Sequence, residues 1–126
     1  MRVVYACDDN YTSLTTISAV SVLKHNPKTE IILLGCNLKD ESIRAIKERI
    51  EKHNGKFRYV DVSAKINELR SSGAEAYVSY AVYSRIFISE LLPDLSDTVL
   101  YLDSDTLIVD SIAELFATEL NRQPLA

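Results

Sequence analysis

Continuous apolar runs alternate along this chain with segments in which apolar positions recur every three or four residues. Arg2 to Cys7 is a short run rich in β-formers that ends at the polar cluster Asp8-Asp9-Asn10, and Glu30 to Cys36 (EIILLGC) repeats the pattern. Unbroken hydrophobicity of this length marks parallel strands covered on both faces. Between the two runs, Leu14, Ile17, Val20 and Leu23 form an apolar stripe among small Ser, Thr and Ala residues. That stripe predicts a helix from Thr12 to about Asn26, packed closely on a sheet and closed by Pro27; Asn10 or Thr12 would cap it.

The second helix is the clearest. Asp40 can cap it, Ile43, Ile46 and Ile50 supply its apolar stripe, Arg44, Lys47, Glu48 and Glu51 its wet face, and Gly55 its stop. Lys56 to Val62 alternates as a third strand with Phe57 and Tyr59 inward. Ser63 to Gly73 is polar and mixed, and reads as a loop with one helical turn. Ser79 to Leu92 regains helical spacing, Thr98 to Leu102 is a fourth strand, Ser111 to Leu115 a short capped helix, and residues 121–126 have no clear structure. This order predicts an α/β fold: a mostly parallel sheet with flanking helices and right-handed crossovers.

Composition narrows the function. A chain of 126 residues, 47% hydrophobic and 25% charged, suits one globular domain. A net charge of -4 with scattered basic residues argues against nucleic acid as a partner. The apolar run after Met1 is too short for a signal peptide or a transmembrane segment, so the reading is cytoplasmic. Cys7 and Cys36 lie in strand-like runs whose separation fits no metal pattern, and are expected as buried, reduced thiols. The three glycines are unclustered, which excludes a phosphate-binding P-loop and the G-x-G-x-x-G fingerprint; no serine sits in a G-x-S-x-G elbow. His25 and His53 fall at helix ends, where a cation is favourable.

Two polar concentrations remain: Asp8-Asp9-Asn10-Tyr11 after the first strand and Asp103-Ser104-Asp105 after the fourth. In a parallel sheet both emerge at the carboxyl edge, where α/β folds bind ligands. If Asp103 and Asp105 continue the strand they share a side, with Cα atoms about 7 Å apart. Oxygen ligands select Mg²⁺ or Mn²⁺, which usually arrive with phosphates. Tyr11 could stack on a nucleobase, and Asp8 and Asn10 could bond to base or ribose, so the pattern points to a nucleoside diphosphate. The solvated, helix-capping loop remains the alternative for the first cluster. For Arg85 the alternative to a phosphate or sugar contact is a side chain that snorkels over the core.

The runs VVYACDDNYTSLTTISAVSVLKHNP and YSRIFISELLPDLSDTVLYLDSDTLIVDSIAELF resemble glycosyltransferase family 8, the retaining, metal-dependent sugar transferases of GT-A fold. The resemblance covers essentially the whole chain and makes residues 1–126 the N-terminal, nucleotide-sugar-binding part of such a domain. It implies that Ala6, Asp8, Asn10 and Tyr11 bind the uridine of a UDP-sugar. Asp103 and Asp105 would hold Mn²⁺ (Mg²⁺ as the alternative), Ser104 would contact ribose through its backbone, and Arg85 would touch donor sugar and phosphate. The implied reaction transfers a hexosyl group from UDP-glucose or UDP-galactose to an acceptor hydroxyl with retention, the acceptor being a saccharide, glycolipid or protein.

One departure counts against full activity. The family's metal site is completed by a later histidine, and none follows His53 here. The alternative reading is a non-catalytic UDP-binding half-domain that needs another segment or chain, with self-association through uncovered sheet surface. A haloacid-dehalogenase-type signature fits poorly, because Leu107 stands where it needs Thr or Val and its strand should come first. An EF-hand fails for want of its loop glycine.

Overall fold

The computed structural model describes residues 1–71, 80–94 and 98–118. Four strands form one all-parallel sheet in the order β3-β2-β1-β4: β1 (Arg2–Asp8), β2 (Glu30–Cys36), β3 (Lys56–Asp61) and β4 (Leu100–Tyr101). The helices are α1 (Thr12–His25), α2 (Asp40–Lys52), α3 (Ser63–Ser71), α4 (Ile88–Leu91) and α5 (Ala113–Ala117); 3₁₀ segments span Asp9–Tyr11 and Tyr80–Phe87.

The period of two in the strands divides the core into two layers. Val3, Tyr5, Cys7, Ile31 and Leu33 pack with Ala19, Val22 and Leu23 of α1, Ile46 and Ile50 of α2, and Ile112. Val4, Ala6, Ile32, Leu34 and Cys36 face the other way, onto Val62, Ile66 of α3, Ala81 and Leu92. Both faces of β1 and β2 are therefore covered, which is why their runs are unbroken. Cys7 and Cys36 are buried free thiols, and burial pushes Cys7 up to about 11.

Several elements differ from the sequence expectation, each for a local reason. Ser63 to Ser71 is a helix, because the Asp61 carboxylate accepts from the Ser63 N–H and hydroxyl while Ile66 is buried. The expected helix before Pro93 is a 3₁₀-helix over Tyr80–Phe87 with a single α turn after it. The fourth strand pairs over two residues only. Asp40 opens α2 rather than capping it, since Lys39 holds the cap position without a side-chain bond. Asn54, at φ 60°, takes the left-handed turn at the end of α2, and the Gly55 N–H returns to the Ile50 carbonyl at 3.0 Å in a Schellman arrangement. Gly55 serves close packing instead: a Cβ there would lie 2.6 Å from Leu23 Cδ1. Gly73, Ser79 and residues 121–126 lie outside the described residues.

The largest difference concerns α1. Leu14 and Ile17, half of its apolar stripe, are 44% and 58% exposed, whereas Thr15, Ser18 and Ser21 are buried. The helix buries hydroxyls because it packs against a polypeptide segment, residues 104–112, that has no strand partner among the described residues.

Candidate functional site

Strand β1 ends at Asp8, whose Oδ1 accepts from the Asn10 N–H at 3.0 Å and so caps the 3₁₀ turn Asp9–Tyr11; α1 itself has no side-chain cap. Asp9 is tied elsewhere. It accepts from the Lys39 N–H at 3.2 Å and pairs with Lys39 Nζ at 3.4 Å, and bonds from Ser42 and then Lys39 hold its carboxyl below the usual range. Tyr11 is 45% exposed at the start of α1. Ala6 is buried within β1, its side chain in the α3-side layer.

Strand β4 runs beside β1 with Val4 opposite Tyr101, and the Leu102 N–H reaches the Val4 carbonyl at 3.0 Å. The two acidic clusters thus leave the sheet at the carboxyl ends of neighbouring strands. Asp103 and Asp105 do not continue the strand. The Thr106 N–H bonds to the Asp103 carbonyl at 3.2 Å, closing a turn around Ser104 and Asp105, and Thr106 Oγ1 donates to the same carbonyl at 2.8 Å. Both carboxylates are exposed.

Helix α1 then holds the segment that follows. Thr15 Oγ1 lies 2.8 Å from Ser104 Oγ, Ser18 Oγ 3.1 Å from Thr106 Oγ1, Ser21 Oγ accepts from the Ile108 N–H at 2.9 Å, and Asn26 Oδ1 accepts from the Ile112 N–H at 3.0 Å. Among the described residues, 104–112 find no strand partner, so side chains on one face of α1 replace a sheet ladder. Sequence reasoning passed over these residues because a stripe of Thr and Ser looks like a weak helix face. The available signal was their spacing of three, Thr15, Ser18 and Ser21.

Arg85 is exposed on the 3₁₀-helix, with its guanidinium carbon 6.0 Å from the centroid of the Tyr101 ring. Burial, then the Asp103 carboxylate, push the Tyr101 hydroxyl up to about 12. Arg85, Tyr101 and Asp103 therefore form a connected row at the β4 end. A cleft of about 370 Å³ opens on the other side of β1, lined by Asp8, Asp9 and Asn10 with Asn37 after β2 and Asn67 and Arg70 of α3. Asn67 and Arg70 were missed because Ser63 to Gly73 reads as a loop. A wider hollow of about 750 Å³ lies at the amino-terminal edge, around Arg2, Lys28 and Lys56, and contains none of the candidate residues.

Two exposed carboxylates in one turn fit a hard divalent cation by donor chemistry. Among the described residues no group of three His, Cys, Asp or Glu gathers to complete such a site.

Residues 2–126 match the sequence profile described as Glycosyl transferase family 8. The chain belongs to this family. It is 30% identical over 118 residues to glycosyltransferase GlyF of Streptococcus pneumoniae, covering 94% of this chain and 29% of GlyF. Glycosyltransferase GlyA of the same organism is 27% identical over 124 residues, covering 98% of this chain and 17% of GlyA. The galactosyltransferase LgtC, solved with donor and acceptor sugar analogues, superposes with a TM-score of 0.83 at 28% identity, over 95% of this chain and 43% of LgtC. The chain thus spans less than a third of GlyF and of GlyA and less than half of LgtC, and its sheet is the GT-A type of the family. No helix among the described residues is long and apolar enough to cross a membrane.

Proposed function

We propose that this chain is the donor-nucleotide-binding part of a retaining family 8 glycosyltransferase that moves a hexosyl group from a UDP-sugar, glucose or galactose, to an acceptor hydroxyl. The observation that carries the reading is the juxtaposition of Asp8–Tyr11 and the Asp103–Thr106 turn at the ends of adjacent parallel strands in a chain of this family. The exposed Tyr11 ring offers a stacking face for uracil, and Asn10 offers an amide to base or ribose. Asp103 and Asp105 hold Mn²⁺ or Mg²⁺. When bound, the cation offsets charge on the diphosphate as UDP leaves. Arg85 brings a fixed positive charge to the sugar-phosphate side, with Tyr101 beneath it directing the guanidinium. Calorimetric titration of UDP with and without Mn²⁺ tests this: the chain binds weakly and only with the metal, and Asp105→Ala loses the binding. Metal-independent binding, or none, would leave only the fold.

A second reading follows from the acidic turn itself. Two carboxylates do not fill a cation's coordination shell, and among the described residues no third ligand joins them. The chain then acts as a UDP-binding half-domain whose site another segment or chain completes. Sugar transfer from UDP-glucose or UDP-galactose by the purified 126-residue chain at ordinary enzymatic rates would refute this reading.

A further inference from the structure

The acidic turn is anchored to the core by a directed chain of hydroxyls. The Asp103 carbonyl can only accept, so Thr106 Oγ1, 2.8 Å away, spends its one proton there. Ser18 Oγ, 3.1 Å from Thr106 Oγ1, must then donate to Thr106, which leaves the Tyr5 hydroxyl, 2.8 Å from Ser18 Oγ, to donate to Ser18. Every proton has one acceptor, and the relay Tyr5 to Ser18 to Thr106 to the Asp103 carbonyl runs in one sense, the arrangement in which hydrogen bonds reinforce one another. Its head is fully buried: Tyr5 and Ser18 are both 0% exposed. A second hydroxyl contact, Thr15 to Ser104, fixes the turn one residue further on.

We infer that Thr106 and Thr15 are positioning residues for donor binding, which hold the Asp103–Thr106 turn in the one shape that presents both carboxylates to a diphosphate-bound cation. The inference rests on the nucleotide and cation reading of this edge. A turn whose two carboxylates are exposed, with only two paired strand residues before it, has little else to fix it. Pre-organisation of this kind acts on affinity for the metal complex, because an untethered turn must be ordered when the ligand arrives.

The test is UDP affinity of the purified chain, with and without Mn²⁺, for wild type, Thr106→Val, Thr106→Ser, Thr15→Val and Thr15→Ser. Either Val variant is expected to weaken UDP binding in Mn²⁺ by roughly three- to tenfold, the equivalent of one hydrogen bond. The metal-free titration shows no binding for any variant, as for wild type, and either Ser variant recovers most of the loss. Equal affinity in both Val variants and wild type would overturn the inference and leave the nucleotide reading standing. A loss in Mn²⁺ that neither Ser variant recovers would mark a merely structural role and overturn it too. Wild type without Mn²⁺-dependent UDP binding would overturn the nucleotide reading, and this inference with it.

Discussion

The β3-β2-β1 half of the sheet and the acidic segment after β4 sit side by side and are held by different means. In the first, continuous parallel ladders pair residues Arg2–Asp8, Glu30–Cys36 and Lys56–Asp61, and Ile32, Leu33 and Leu34 are fully buried between helix layers. In the second, the ladder stops after Leu100–Tyr101, and residues 104–112 hang on the hydroxyls and amide of α1. Apolar burial is strong and non-directional, so it fixes a scaffold. Hydrogen bonds from single side chains contribute less each but specify geometry, so they suit a loop that must offer carboxylates at a set angle.

Substitutions should separate the two regimes. The largest loss belongs to the scaffold: Leu33→Ala removes a fully buried side chain and should cost about 2–5 kcal/mol in a denaturant titration, with the whole transition moving. Next comes the joint between the regions. Tyr5 is buried, and its hydroxyl is raised from 10.0 to about 12 by that burial, only partly offset by its bond to Ser18. The folded value lies above the unfolded one, so the contribution is complete below pH 10 and is lost as pH rises towards about 12. A shift of this size is worth on the order of 2–3 kcal/mol, and Tyr5→Phe should flatten that alkaline loss in a pH series of unfolding midpoints.

The segment itself is worth less. Asn26→Ala leaves the buried Ile112 N–H without its acceptor, at about 1–3 kcal/mol. Ser21→Ala, which removes the acceptor of the Ile108 N–H, should cost about 1 kcal/mol. Hydrogen exchange discriminates here: the Ile108 amide should exchange faster in Ser21→Ala while those of Val4 and Leu33 do not. Equal acceleration in both regions would erase the distinction drawn between them. The smallest effect is at Asp9, whose half-buried carboxyl is held low by Ser42 and Lys39. Its contribution is present above the ordinary carboxylate range and disappears as pH falls through its lowered folded value. Asp9→Asn should therefore lower the thermal midpoint at neutral pH by less than either Asn26→Ala or Ser21→Ala, and the gap should close in acid.

The scaffold was legible because burial leaves its mark on residue type. The unbroken runs Val3–Cys7 and Ile31–Cys36 are parallel strands covered twice, and the stripe of Ile46 and Ile50 is the inward face of α2. The acidic edge was legible from topology, in place rather than in shape, because both clusters follow strands of a parallel sheet. Asp103 and Asp105 were expected on an extended strand and lie in a turn, because Thr106 closes back on Asp103, an event that spacing alone does not encode. The face of α1 misled for the opposite reason. Leu14 and Ile17 suggest a core stripe, yet a neighbouring segment in need of hydrogen bonds rewards Thr15, Ser18 and Ser21 more. Leu107 and Val109 on that segment, and Leu14 and Ile17 beside it on α1, are consequently left exposed.

The central claim is that Asp8–Tyr11 and Asp103–Thr106 form one nucleotide-cation edge. Paramagnetic Mn²⁺, added with UDP to the isotope-labelled chain, tests it directly. The account predicts that amide signals of Asn10, Tyr11, Ser104 and Asp105 broaden together, that those of Lys28 and Lys56 at the opposite edge stay sharp, and that Asp105→Ala abolishes the effect. Broadening centred on Lys28 and Lys56, or confined to one of the two clusters, would contradict it.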